Sequence, residues 1–172
     1  MLPIITETHR FKPVSSAILD PWDPPNLEEF FDRDHGVMTG GQWERLNRTI
    51  LGSSPLSSQS YVGCDVNHWG GSNEDIVALL PGGHLGDHFI EPHNIIGFLM
   101  AQPAGQEGLL KTSCHQISVI YVLDKDRKKV AVSFRWNGGL RRWGVGISNF
   151  EKELPWLMGT RIIVPGIMKS RQ

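Results

Sequence analysis

With 172 residues and a net charge of −1, the chain is long enough to bury its own core. It is too evenly charged for a dedicated duplex-DNA binder, which would carry a basic face and a high pI. Two cysteines make no disulfide framework at this length, and no apolar run approaches the roughly 20 residues of a membrane helix.

Met1–Lys12 has neither the charged start nor the long apolar core of a signal peptide, so the expectation is a cytoplasmic chain folded as a single domain over 1–172. Residues 1–26 contain Pro3, Pro13, Pro21, Pro24 and Pro25, a density that excludes regular helix. The segment reads as an arm anchored by Trp22, laid over its own domain or reaching a second copy in a homo-oligomer. Asn26 with Glu29 has capping-box spacing and opens a short helix on Leu27, Phe30 and Phe31, ended by Gly36. A second helix is expected from about Gly41 to Leu51, because Trp43, Leu46 and Ile50 recur at helical spacing before Gly52. These two helices make 27–51 a helical region. Residues 52–73, rich in Ser, Gly and Asn, read as a long loop.

The pattern then turns to strands, and 74–172 reads as the sheet. Ile76–Leu80 is expected as a short strand, and Asn94–Ala101, apolar on both faces, as a central one. Gln116–Leu123 is the next, ending in the charged turn Asp124–Lys128. Lys129–Trp136 and Leu140–Ser148 flank Asn137-Gly138-Gly139, a strong hairpin signal. Val130, Val132, Phe134 and Trp136 share a core face with Arg141, Trp143, Val145 and Ile147 of the return strand. The opposite face carries Ser133, Arg135, Arg142, Gly144 and Gly146. Asn149–Leu154 is a helical turn stopped by Pro155, and Arg161–Val164 a last strand.

This order of elements implies an α+β fold: a Pro-rich arm and two short helices packed on a curved, largely antiparallel sheet of five to six strands. The late connections are too short for crossover helices. A β-barrel with accessory helices is the alternative.

The densest chemistry lies in Gly83–His93, where three histidines and two carboxylates fall within ten positions. As about two turns of helix, His84, Asp87, His88 and Glu91 stand at i, i+3, i+4 and i+7, on one face. A catalytic zinc takes three protein ligands and leaves a place for water. His84, His88 and His93 are the candidate ligands of a divalent metal such as zinc. Asp87 and Glu91 are the candidate catalytic residues, Asp87 as general base or as hydrogen-bond partner to a ligand, with Glu91 also an alternative third ligand beside His84 and His88. His84-Leu85-Gly86-Asp87-His88 has the spacing of an H-x-x-E-H metallopeptidase motif with Asp for Glu. The likeness covers five residues and assigns no family. A solvated polar turn is the plainer reading of the same run.

Two further sets carry chemistry. Cys114 with a histidine of the cluster, or Cys64 with His68, has the residue types of a thiol nucleophile and its base, against the plainer reading of packed cysteines. Arg135, Arg142 and Trp143 are candidate ligand-binding residues, since bases and sugars stack on aromatic faces while arginines hold phosphates. The hairpin parity sets Trp143 on the core face, opposite the arginines.

The leading functional reading is a small soluble pocket domain that binds a ligand or metal through the His/Asp/Glu cluster, with metal-dependent hydrolysis as its catalytic form. A non-catalytic module for a small-molecule ligand or single-stranded nucleic acid is the alternative. An oligomeric accessory protein with an exchanged arm is a third. Neither a membrane nor duplex DNA is an expected partner.

Overall fold

The computed structural model describes residues 13–19, 37–38, 43–50, 59–66, 72–80, 85–113, 115–151 and 159–166. In chain order the elements are β1 (Pro13–Leu19), β2 (Val37–Met38), α1 (Trp43–Ile50), β3 (Gln59–Asp65), α2 (Asn73–Leu79), a 3-10 turn (Leu85–His88), α3 (Asn94–Ala101), β4 (Ser118–Leu123), β5 (Lys129–Asn137), β6 (Arg142–Asn149) and β7 (Arg161–Pro165). The fold is α+β. Strands β3-β7-β4-β5-β6 form the body of one mixed sheet, with β1 at one edge and β2 at the other. The edges stay apart, so the sheet is not a barrel. Pairing is antiparallel except between β4 and β7 and between β2 and β6.

The hairpin and the second helix form as the sequence predicts. Trp136 faces Trp143 across β5 and β6, and Val132 faces Ile147, so the apolar sets share a face. Arg141 is the exception. It has a positive φ of 51°, is exposed, and belongs to the turn, because β6 begins at Arg142. In α1, Leu46 and Ile50 are buried one turn apart while Glu44 and Arg48 face water.

Four expected elements are different. Asn94–Ala101 is a helix, not a central strand. Its apolar run is buried on nearly every side, and eight such residues fit a buried strand or a buried helix equally well. Ile76–Leu80 is not a strand either, since Asn73–Leu79 is helical. Ser72 caps that helix: its hydroxyl accepts from the Asp75 N–H at 3.1 Å, and Asp75 Oδ2 accepts from the Ser72 N–H at 2.9 Å. Lastly, the expected loop 52–73 contains β3, and the expected arm 1–26 contains β1, paired antiparallel with it. Pro13 opens β1, where a strand tolerates proline. The helix expected after Asn26, Trp22, and the second half of the helical turn expected over Asn149–Leu154 lie outside the described residues.

Both faces of the sheet are covered. Leu46 and Ile50 of α1 and Ile95, Ile96, Phe98 and Leu99 of α3 pack on Ile120, Val132, Phe134 and Ile163. Ile76 and Val77 of α2, with Leu80, pack on the other side against Val119, Tyr121, Ala131 and Ile162. Strand β4 is therefore buried along its length.

Candidate functional site: a polar cleft where β3, β4 and β7 meet

The His/Asp/Glu run does not form the two-turn helix that would gather its side chains. The 3-10 turn stops at His88. Phe89 then bridges to Tyr121 in parallel, and the Ile90 N–H donates to the Tyr121 carbonyl at 2.8 Å. The chain is extended at this point, so Glu91 leaves the face of Asp87 and His88. Pro92 before α3 leaves His93 as that helix's N-cap, without a side-chain cap bond.

Asp87 and Glu91 are exposed, His93 is half-buried, and His88 is buried. Burial holds the imidazoles of His88 and His93 below their usual value, against the opposing pull of Asp87 on one and Glu91 on the other. Among the described residues the His88 Nε2 has no hydrogen-bond partner. Among the described residues no three His, Cys, Asp or Glu side chains converge to hold a metal ion. His84 lies outside them, so the described part of the run does not complete a zinc site.

The other candidates separate in the same way. Trp143 is 1% exposed, its indole N–H donates to the Gln102 carbonyl at 2.6 Å, and Trp136 packs edge-on against it. It is a core residue with no face open to a ligand. Arg135 is exposed and Arg142 half-buried on the opposite side of the hairpin. Cys64 is buried, and burial with Asp65 beside it pushes the thiol up to about 11. A thiol held so protonated is a poor nucleophile at neutral pH. Both His68 and Cys114 lie outside the described residues.

A concavity of about 520 Å³ lies elsewhere, on the α3 side of the sheet, where β3 ends and β4 and β7 begin. Glu107, Lys111, Thr112, Ser113, Gln116 and Arg161 line it. Its floor is an ion triad. Asp65 Oδ1 accepts from Arg161 Nε at 2.9 Å, and Lys111 Nζ stands 3.2 Å from Asp65 Oδ2. The Arg161 guanidinium also donates from Nη2 to Asp65 and from Nη1 to the carbonyls of Leu109, at 3.1 Å, and Gly108, at 3.3 Å. These bonds fix the arginine as a strut between β7, β3 and the loop after α3.

Local sequence explains how that strut fits. Gly63 leaves the space that Arg161 crosses; a Cβ there would come within 2.6 Å of Arg161 Cδ. Gly159, at φ +89°, adopts a conformation that favours glycine and lies against the Gln116 amide.

Gln102 makes three of the side-chain bonds that hold the wall of the cleft, residues 102–111. Gln102 Nε2 donates to the carbonyls of Gln106 and Leu110, at 2.7 and 3.0 Å. Its Oε1 accepts from the Leu110 N–H at 2.7 Å. The Lys111 N–H in turn donates to the buried Ser118 hydroxyl at 2.8 Å, fixing the lysine beside the start of β4.

Among the described residues, none of the sequence candidates lines this cleft. Its charged residues come from three distant segments, with 96 positions between Asp65 and Arg161, so no local motif announces it. The one clue in the sequence is the Gly-rich loop around Gly105 and Gly108 after an apolar run. Comparison with family models, with curated proteins and with solved structures finds no match to this chain.

Proposed function

We propose that the protein is a non-catalytic binding module whose ligand is a small polar molecule held in the Lys111–Arg161 cleft. The observation that carries this reading is the cleft itself. Its volume falls in the range of small-molecule sites, roughly 300–1,000 Å³. Hydroxyls of Thr112 and Ser113, the Gln116 amide and the Lys111 ammonium all border the same space. Many ligand pockets are largely apolar; this one offers mainly hydrogen-bonding groups, which suits a polar ligand that would otherwise stay in water.

The test is an amide NMR titration of the whole chain with sugars, amino acids, carboxylates and inorganic phosphate. Binding here shifts amides in 107–116 and at Arg161. Shifts confined to 85–93, or none with any compound, would refute the reading.

A further inference from the structure

The donors of the cleft define a narrower ligand class, an inference that rests on the binding reading above. We infer that the ligand is a hydroxylated monocarboxylate, its carboxylate on Lys111 Nζ and its hydroxyls against Thr112, Ser113 and Gln116. Charge is the first argument. Lys111 and Arg161 carry two positive charges and Asp65 one negative, so the floor has one positive charge to offer. Glu107 sits on the exposed rim, where water screens it.

Geometry is the second. Phosphate recognition favours an arginine fork that can bind two oxygens side by side. The Arg161 fork is already closed on Asp65 through Nε and Nη2, and Nη1 is spent on carbonyls. Lys111 is different. An ammonium has three N–H donors, and Asp65 is its one ionic partner among the described residues. It is the group with donors to spare for an incoming oxyanion.

Size is the third argument. The space exceeds what a bare carboxylate fills, and among the described residues Leu110 is the single apolar side chain in the lining. A fatty or aromatic acid would leave the hydroxyls and the amide without partners. A chain of ligand hydroxyls satisfies them.

The experiment is calorimetric titration with gluconate, glucose, octanoate and inorganic phosphate, on the native chain and on Lys111→Gln. Gluconate should bind about tenfold or more tighter than glucose, the effect of one charge-assisted hydrogen bond. Lys111→Gln should abolish that difference, weakening gluconate about tenfold or more. Because Asp65 keeps Arg161 in that variant, the fold should be preserved, as unchanged thermal unfolding would verify. Asp65→Asn, which raises the floor charge, should tighten gluconate further. Glucose or octanoate matching gluconate, or phosphate surpassing it, overturns the ligand class and leaves the binding reading standing. If no compound binds and no amide in 107–116 moves, the binding reading falls with it.

Discussion

The Tyr121 hydroxyl donates to Asn73 Oδ1 at 3.1 Å, and Asn73 Nδ2 donates to the Phe150 carbonyl at 2.6 Å. One buried asparagine thus joins the start of α2 to β4 and to the chain just beyond β6. Replacing it strands two buried polar partners at once. Asn73→Ala should cost about 2–4 kcal/mol, and Tyr121→Phe, which removes one bond, about 1 kcal/mol. Urea unfolding of both variants checks this. Equal costs would mean that Asn73 does not join the elements in the way described.

Gln102 is the corresponding fastener of the cleft wall. Gln102→Leu keeps the bulk but leaves the Leu110 N–H and carbonyl without their partners. A loss of about 2–3 kcal/mol is expected. Hydrogen exchange at the Leu110 amide should accelerate more than at amides of β5. Uniform acceleration across the chain would show a global effect instead.

His88 gives stability a pH dependence with a definite sign. Its imidazole is buried and held below the ordinary value of 6.5, so the unfolded chain takes up this proton more readily than the folded one. Above that value the folded state loses nothing to this group. As pH falls below it, stability declines until the lower folded-state value is reached. His93 is shifted in the same direction and adds to the trend. Urea midpoints at about pH 7.5 and about pH 5.5 should therefore differ, and His88→Leu should narrow the gap. An unchanged gap in the variant would remove His88 as its source.

Cys64 should be chemically silent in the folded state. Its thiol is buried and pushed up to about 11. In a Cys114→Ser background, a disulfide reagent should label Cys64 only as fast as the chain unfolds. Rapid labelling of the native protein would contradict its burial.

The sequence made the local elements legible and left the distant ones hidden. The β5–β6 hairpin was readable because Asn137-Gly138-Gly139 and strict alternation act over a few residues. Helix α2 was readable in principle, since Ser72 and Asp75 carry the same capping spacing that points to a helix after Asn26. The short apolar run Ile76–Leu80 has a length that fits a strand as well. Asn94–Ala101 was ambiguous, because burial on all sides erases periodicity. Strand β3 hid among Ser and Gly because Gly63 serves Arg161 across the sheet, not its own strand. The cleft was invisible for the same reason: Asp65, Lys111 and Arg161 meet only through tertiary pairing. In the histidine run the described residues are neighbours in sequence, but the 3-10 turn ends at His88 and the bridge at Phe89 carries the chain on in extended form.

The parallel contact between β4 and β7 is short, joining Ser118 to Arg161 and Val119 to Ile162. It is a seam between two antiparallel halves, and the halves differ in how far the chain must travel to close them. Strands β4, β5 and β6 follow one another through tight turns. The β3–β7 pairing brings Asp65 to Arg161 across 96 positions. Loop-closure entropy therefore makes the meander the early-folding half and the β3–β7 half the late one. Pulse-labelled amides of β5 should gain protection before those of β3, and simultaneous protection would count against the order. The seam is also where the cleft floor is built, so the ion triad assembles last and any molecule that bridges it acts as a clasp on the half of the protein most ready to open.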